Sequence, residues 1–182
     1  MHILDPVIIV VWIAFWIYWL AASAGTKSGR SRWGRFVGFR VAVVIVAVVL
    51  VRAKAFKGAT VNHDLWLGVV GFVVFLCGLA VAVWARRYLG SNWGMPMSEK
   101  DDPELVTSGP YHLIRHPIYS GIILGMVGTA VAITWYWLIA VAVIGGYFIY
   151  SAVVEERHMT EVFPDSYPAY KHSSKMLIPF IL

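Results

Sequence analysis

The chain has 182 residues, 59% of them hydrophobic, 14% charged and nine of them tryptophan. A soluble domain carries about 25% charged residues, so this composition describes a membrane protein of one-domain size and excludes an ordinary soluble enzyme. The formal net charge of +5 reports topology in such a chain, and no basic stripe with interleaved aromatics is present that would make nucleic acid a partner.

A spanning helix needs about 20 mostly apolar residues. The first candidate runs from Ile3 to Ala22. Ala22-Ser23-Ala24 resembles a signal-peptide cleavage site, but no cation precedes the apolar segment and Asp5 is acidic, so an uncleaved first span is expected. A basic loop with Lys27, Arg30, Arg32 and Arg35 follows. The second span runs from Phe36 to Val51, with Arg40 snorkelling from its first turns to the interface. Arg52, Lys54 and Lys57 open the next loop, and the third span covers Leu65 to Ala85, stopped by Arg86 and Arg87. Cys77, the sole cysteine, lies in that span and packs as a small hydrophobe.

The longest polar section, Tyr88 to Arg115, precedes a fourth span over Pro117 to Ile133. Thr134-Trp135 marks a tight turn, and Trp135, Tyr136 and Trp137 suit a membrane interface. The fifth span ends near Val154, and the helix runs on through Glu155, Glu156 and Arg157 because no breaker follows. The tail end, Met176 to Leu182, is apolar enough to lie against the bilayer. Gly121 and Gly125, then Ala142 and Gly146, repeat at the spacing that lets helices approach closely.

The expected fold is therefore all-α and polytopic, with five transmembrane helices. The Lys27–Arg35 cluster favours a cytoplasmic first loop, which puts the section before span four and the C-terminal tail on the cytoplasmic side as well. The Arg52, Lys54, Lys57 loop falls on the opposite side. The relative statement is the stronger one: spans four and five form a short hairpin, so the loop entering one and the tail leaving the other share a face.

The stretch Ser108 to Gly121 concentrates two His, an Arg, two Tyr and two Pro where that loop becomes a helix. Pro117 suits the first helical position. It pushes His116 into an extended conformation outside the helix. The helix start presents unpaired N–H groups and partial positive charge, a seat for a carboxylate or phosphate. This loop and helix start are read as holding a small charged cofactor at a membrane surface. Glu155 and Glu156 return to the same surface, where acids at a helix C-terminus need a continuing helix or a positive partner. His112 and His116 raise the question of a metal, but zinc needs further ligands and none stands at motif spacing, so no metal is expected. No phosphate-binding glycine loop, dinucleotide fingerprint or serine elbow occurs.

Leu105-Val106-Thr107-Ser108-Gly109-Pro110-Tyr111, Arg115-His116-Pro117-x-Tyr119-x-Gly121 and the downstream Glu155-Glu156 resemble the isoprenylcysteine carboxyl methyltransferase family. Leu89-Gly90-x-x-Trp93 fits the family's lead-in, and Phe163-x-x-x-Tyr167-x-x-Tyr170 its C-terminal pattern. The resemblance covers Leu89 to Pro179. Membrane phospholipid and thiol methyltransferases share parts of it, as do NADPH-dependent sterol-type reductases.

The resemblance implies one membrane methyltransferase domain over residues 1–182, with three spans in 1–87 and the catalytic loop, two spans and tail in 88–182. It implies S-adenosylmethionine bound at the cytoplasmic face of an inner or plasma membrane. By position, Leu105, Val106, Tyr111, His116, Pro117, Ile118, Tyr119 and Glu155 line that cofactor, while Arg115 and Glu156 serve the acceptor and catalysis. Tyr111 and Tyr119 offer ring faces to a sulfonium or adenine. The acceptor is an amphiphilic small molecule or lipidated group. Readings kept beside this one are a phospholipid N-methyltransferase, the NADPH reductase and a non-enzymatic scaffold. Two positions depart from the family pattern: Pro103 where a His is frequent, and Ser151 where an Arg is implicated in binding the prenylated substrate.

Overall fold

The structure is a computed structural model describing residues 4–23, 64–94 and 104–179. The expected second span, Phe36 to Val51, and the basic segments on either side of it lie outside the described residues, as does Pro103. Among the described residues all regular structure is helical: α1 (Leu4–Ser23), α2 (Leu65–Leu89), α3 (Pro117–Ala132), α4 (Trp137–Val162) and the short α5 (Tyr167–Ser173).

α1, α2 and α4 are long and apolar enough to cross a membrane. Among the described residues their outer faces leave Val10, Ile17, Leu20, Leu65, Val73 and Ile149 exposed, the apolar surface expected of membrane-spanning helices. α3, the expected fourth span, has 16 residues. At 1.5 Å per residue it reaches about 24 Å, short of a hydrocarbon core of about 30 Å. By length it is a shorter apolar helix than the other three.

Among the described residues α2 and α3 make the most extensive contact, and glycine is the reason. A Cβ on Gly71 would meet the α3 backbone at Gly128 and Ala132, and one on Gly78 would meet it at Gly121 and Gly125. Reciprocally, a Cβ on Gly128 would strike the α2 backbone at Gly71 and Phe75. The two helices touch main chain to main chain, which side chains would prevent. The sequence repeat at Gly121 and Gly125 thus marks a true interface. At the Ala142 and Gly146 repeat, no atom of the described residues lies within reach of a Cβ on Gly146.

α1 lays Ile8, Phe15 and Trp19 against this pair, and the Trp12 indole donates to Thr129 Oγ1 at 3.1 Å. Asp64 caps α2 by accepting from the Trp66 N–H at 2.9 Å. At the far end of α2, Arg86 is buried rather than a simple stop signal. Its guanidinium donates to Gly90 O at 2.8 Å and to Ala22 O at 2.6 Å, and lies 4.5 Å from the centre of the Trp93 ring. A cation at the carbonyl-rich C-terminal end of α1 is favourable. Arg86 thereby fixes α1 to α2 on the side where the polar loop begins.

Candidate functional site

The loop before α3 is built on Gly109, whose φ of +59° admits few other residues and whose α-carbon lies under the Tyr88 ring. Leu105 and Val106 lie half-buried in the preceding extended segment, and Val106 packs on the core. The turn Gly109–His112 buries Pro110 and Tyr111. The Tyr111 hydroxyl is 3.4 Å from Ala85 O. Burial pushes that hydroxyl well above the usual phenol range, and Tyr170 and Glu155 add to the rise while Arg86 opposes it. Tyr111 is a neutral donor there.

α3 begins at Pro117, with His116 outside the helix ahead of it as expected, although its backbone (φ −123°, ψ 57°) falls short of the fully extended conformation that a following proline favours. Pro117 and Ile118 are buried. α4 returns alongside α3, and the two glutamates near its end meet this turn. His116 stands between them, Nδ1 3.5 Å from Glu155 Oε2 and Nε2 3.5 Å from Glu156 Oε1. Tyr119 donates its hydroxyl to Glu155 Oε1 at 2.6 Å. The Tyr119 ring stacks on His116, centroids 5.4 Å apart, and on Phe148, 4.6 Å apart. With its ring so engaged, Tyr119 offers its hydroxyl rather than the bare ring face expected from the sequence. Burial of His116 leaves Nε2 without a hydrogen bond among the described residues.

The residues assigned to catalysis bond to each other. Arg115 Nε donates to Glu156 Oε1 at 2.7 Å, with both side chains more than nine-tenths buried (8% and 6% exposed). Arg115 Nη1 also donates to Ser174 O at 2.5 Å and Lys171 O at 3.1 Å. Lys171 Nζ reaches the other Glu156 oxygen at 2.8 Å. α4 runs on past both acids to Val162, as expected, and Glu156 has two cationic partners besides. Glu155 is the more open of the two, with 24% of its side chain exposed.

The expectation that the tail end, Met176 to Leu182, lies against the bilayer can be compared only up to residue 179, since 180–182 lie outside the described residues. In the structure residues 175–177 lie against the loop before α3 instead. Arg115 N donates to Lys175 O at 2.8 Å, His116 N to Met176 O at 3.1 Å and Lys175 N to Leu113 O at 3.0 Å, a short parallel pairing. Ser120 Oγ donates to Leu177 O at 2.5 Å and Leu177 is buried. The Tyr170 hydroxyl donates to Tyr111 O at 2.6 Å. Hydrophobic composition cannot separate a segment that seeks lipid from one that seeks protein, and here unpaired loop N–H groups decided it. Lys171, Ser174 and Ser120 are the site's contributors that sequence reasoning did not single out. The Tyr167-x-x-Tyr170 pattern was the signal nearest to them. Among the described residues no cluster of His, Cys, Asp and Glu has the makings of a metal site.

A phospholipid methyltransferase family model matches residues 66–166, which contain α2, the loop, α3 and both glutamates. The chain belongs to the phospholipid methyltransferase family. Over 120 residues it is 31% identical to a protein-S-isoprenylcysteine O-methyltransferase of Xenopus laevis, a match covering 64% of this chain and 42% of that protein. It is 28% identical over 124 residues to the nickel-cobalt-cadmium resistance protein NccN of Alcaligenes xylosoxydans xylosoxydans, covering 67% of this chain and 55% of the relative. It is 35% identical over 82 residues to methanethiol S-methyltransferase 1 of Bradyrhizobium diazoefficiens, covering 45% of this chain and 28% of the relative. The chain thus spans about half the length, or less, of these members of its broader kin. The likeness to isoprenylcysteine methyltransferases read from the loop and the glutamate pair stands.

Proposed function

We propose that this membrane protein transfers a methyl group from S-adenosylmethionine to a lipid-like acceptor at the cytoplasmic face of an inner or plasma membrane. The observation that carries the reading is the unequal treatment of two adjacent glutamates. Glu156 is closed off by Arg115 and Lys171, whereas Glu155 is oriented by Tyr119 and His116 and remains partly open.

The donor set fits the cofactor. A partly open carboxylate suits an ammonium or ribose hydroxyls, and His116 Nε2 has no well-formed hydrogen bond among the described residues, Glu156 Oε1 standing 3.5 Å away. Glu155, His116 and Tyr119 would hold the cofactor's polar groups, while Leu105, Val106, Tyr111, Pro117 and Ile118 would form its walls. When bound, S-adenosylmethionine supplies a methyl group made electrophilic by the attached sulfonium. The protein's part is alignment and exclusion of water, which such a displacement mainly requires. Tyr119 and His116 fix the Glu155 carboxylate before any ligand arrives. Arg115 and Glu156 are positioning residues, tying α4, the loop and the tail into one floor. That floor lies where apolar helices meet a polar loop, a setting in which an amphiphilic acceptor would meet a water-soluble cofactor. The domain division at residue 87 and the five-span topology follow from the same reading.

Heat denaturation of the purified protein tests it. S-adenosylhomocysteine should raise the midpoint and NADPH should not. The reverse pattern would hand the site to a reductase, and indifference to both would leave a scaffold.

A further inference from the structure

α4 carries a second feature, on the face turned away from Glu155. Val153, Glu156, Arg157 and Thr160 line a groove of about 490 Å³ together with Arg115, Lys171, Ser174, Lys175 and Met176. At 100° per residue the centre of that α4 face lies about 150° round the helix from Glu155. The groove therefore opens on a different side of α4 from Glu155, with Arg115 and Glu156 in its lining.

Its charge is lopsided. Arg115, Arg157, Lys171 and Lys175 face one carboxylate, Glu156, and that carboxylate is already bonded by Arg115 and Lys171. Among the described residues no ion pair engages Arg157 or Lys175, and both side chains are exposed. Thr160 and Ser174 place hydroxyls on the lining, although each already donates to a carbonyl, of Glu156 and Tyr170 respectively. Val153, exposed on the outer surface of a helix long enough to span, forms one lip, and Met176 another. A basic, hydroxyl-bearing hollow with an apolar lip, where a spanning helix leaves the membrane, has the chemistry of a phosphate site at the interface.

We infer that this groove binds a phosphate group, with Arg157 and Lys175 as the cations that recognise it and Val153 and Met176 beside any attached chain. The shared chemistry is a phosphate mono- or diester, and its source is either a free phosphate or the headgroup of an anionic phospholipid. The site stands apart from the cofactor pocket, and its occupation does not depend on methyl transfer.

The test uses the full chain in neutral detergent. One arm titrates inorganic phosphate against chloride at matched ionic strength, and a second adds phosphatidylglycerol against phosphatidylcholine, with the thermal midpoint as readout. Arg157→Gln and Lys175→Gln should each weaken the apparent affinity about fivefold, the effect of one cation near an anionic headgroup. Arg87→Gln, an exposed cation on another helix, should stay within about twofold of the parent. Far-ultraviolet circular dichroism and the S-adenosylhomocysteine shift confirm that each variant is folded. A response in both arms supports the groove as an open phosphate site, and a response to phosphatidylglycerol alone supports the headgroup as its source. Absence of any response in the parent overturns the inference. So does equal weakening by Arg87→Gln, which would mean diffuse surface charge.

Discussion

Tyr119 on α3 and Glu155 on α4 are joined by a 2.6 Å hydrogen bond that makes one unit of two helices joined by a hairpin. A phenol donating to a carboxylate is a charge-assisted bond, worth about 1.5–3 kcal/mol net. Tyr119→Phe keeps the stack on His116 and Phe148 and removes only the hydroxyl. The expected result is S-adenosylhomocysteine binding weakened about tenfold or more, with Glu155→Ala at least as damaging, while both variants still insert. Isothermal titration calorimetry measures it, and parental affinity in both variants would remove Glu155 from the pocket.

Arg115 and Glu156 predict an asymmetry in stability rather than in binding. The pair is buried, and deleting one member strands the other, a cost of about 3–5 kcal/mol. The Lys171 side chain is half exposed, so its bond to the same carboxylate contributes about 1 kcal/mol or less. Thermal denaturation should therefore rank Arg115→Ala far below Lys171→Ala. Equal losses would show that the tail, not the buried pair, holds this corner together.

These two pairs show how far the sequence could be read. The His116 and Glu155 encounter was legible because a hairpin forces its two ends together, and Pro117 fixed the helix start. That two acids there call for a continuing helix or a cation was legible too, and the helix does continue, but which cations join them was not. Arg115 answers from the loop and Lys171 from a tail whose path depends on backbone N–H groups no pattern records. The ring of Tyr119 was expected to be free, and its stacking partner Phe148 lies a full hairpin away. The basic groove was invisible for the same reason: Arg157 and Lys175 are far apart in the chain and meet only because the tail folds back.

Small residues carry a sharper contrast. Gly78 and Gly146 look alike in sequence, each inside an apolar helix. A methyl group on Gly78 would collide with the α3 main chain, so Gly78→Ala should cost about 1–3 kcal/mol by forcing α2 and α3 apart. No atom of the described residues lies within reach of a Cβ on Gly146, so Gly146→Ala should be neutral or stabilising by up to about 1 kcal/mol. Detergent-resistant folding at rising temperature would separate them, and a harmless Gly78→Ala would refute main-chain contact between the helices.

The tail latch should be sensitive to alkali. The Tyr170 hydroxyl donates to Tyr111 O, so the bond exists only while the phenol keeps its proton. Burial is the largest influence and pushes the Tyr170 hydroxyl up to about 12, against the pull of Arg115 and Ser174 and with a further push from Glu156. A folded-state value above the unfolded value near 10 means that folding favours the protonated form. The stabilisation is thus complete below about pH 10 and is lost as pH rises from there towards 12. Tyr170→Phe removes the bond at every pH, at a cost of about 1 kcal/mol. The parent should denature at a higher temperature than Tyr170→Phe at pH 8, and the gap between them should close between pH 10 and 12. Tyr111 and Tyr167 are also raised, chiefly by burial and in part by Tyr170 itself, so the difference reports Tyr170 together with its coupling to these two. A gap that persists unchanged at pH 12 would mean that the ring of Tyr170, through its packing beside Tyr167, fastens the tail rather than its hydroxyl.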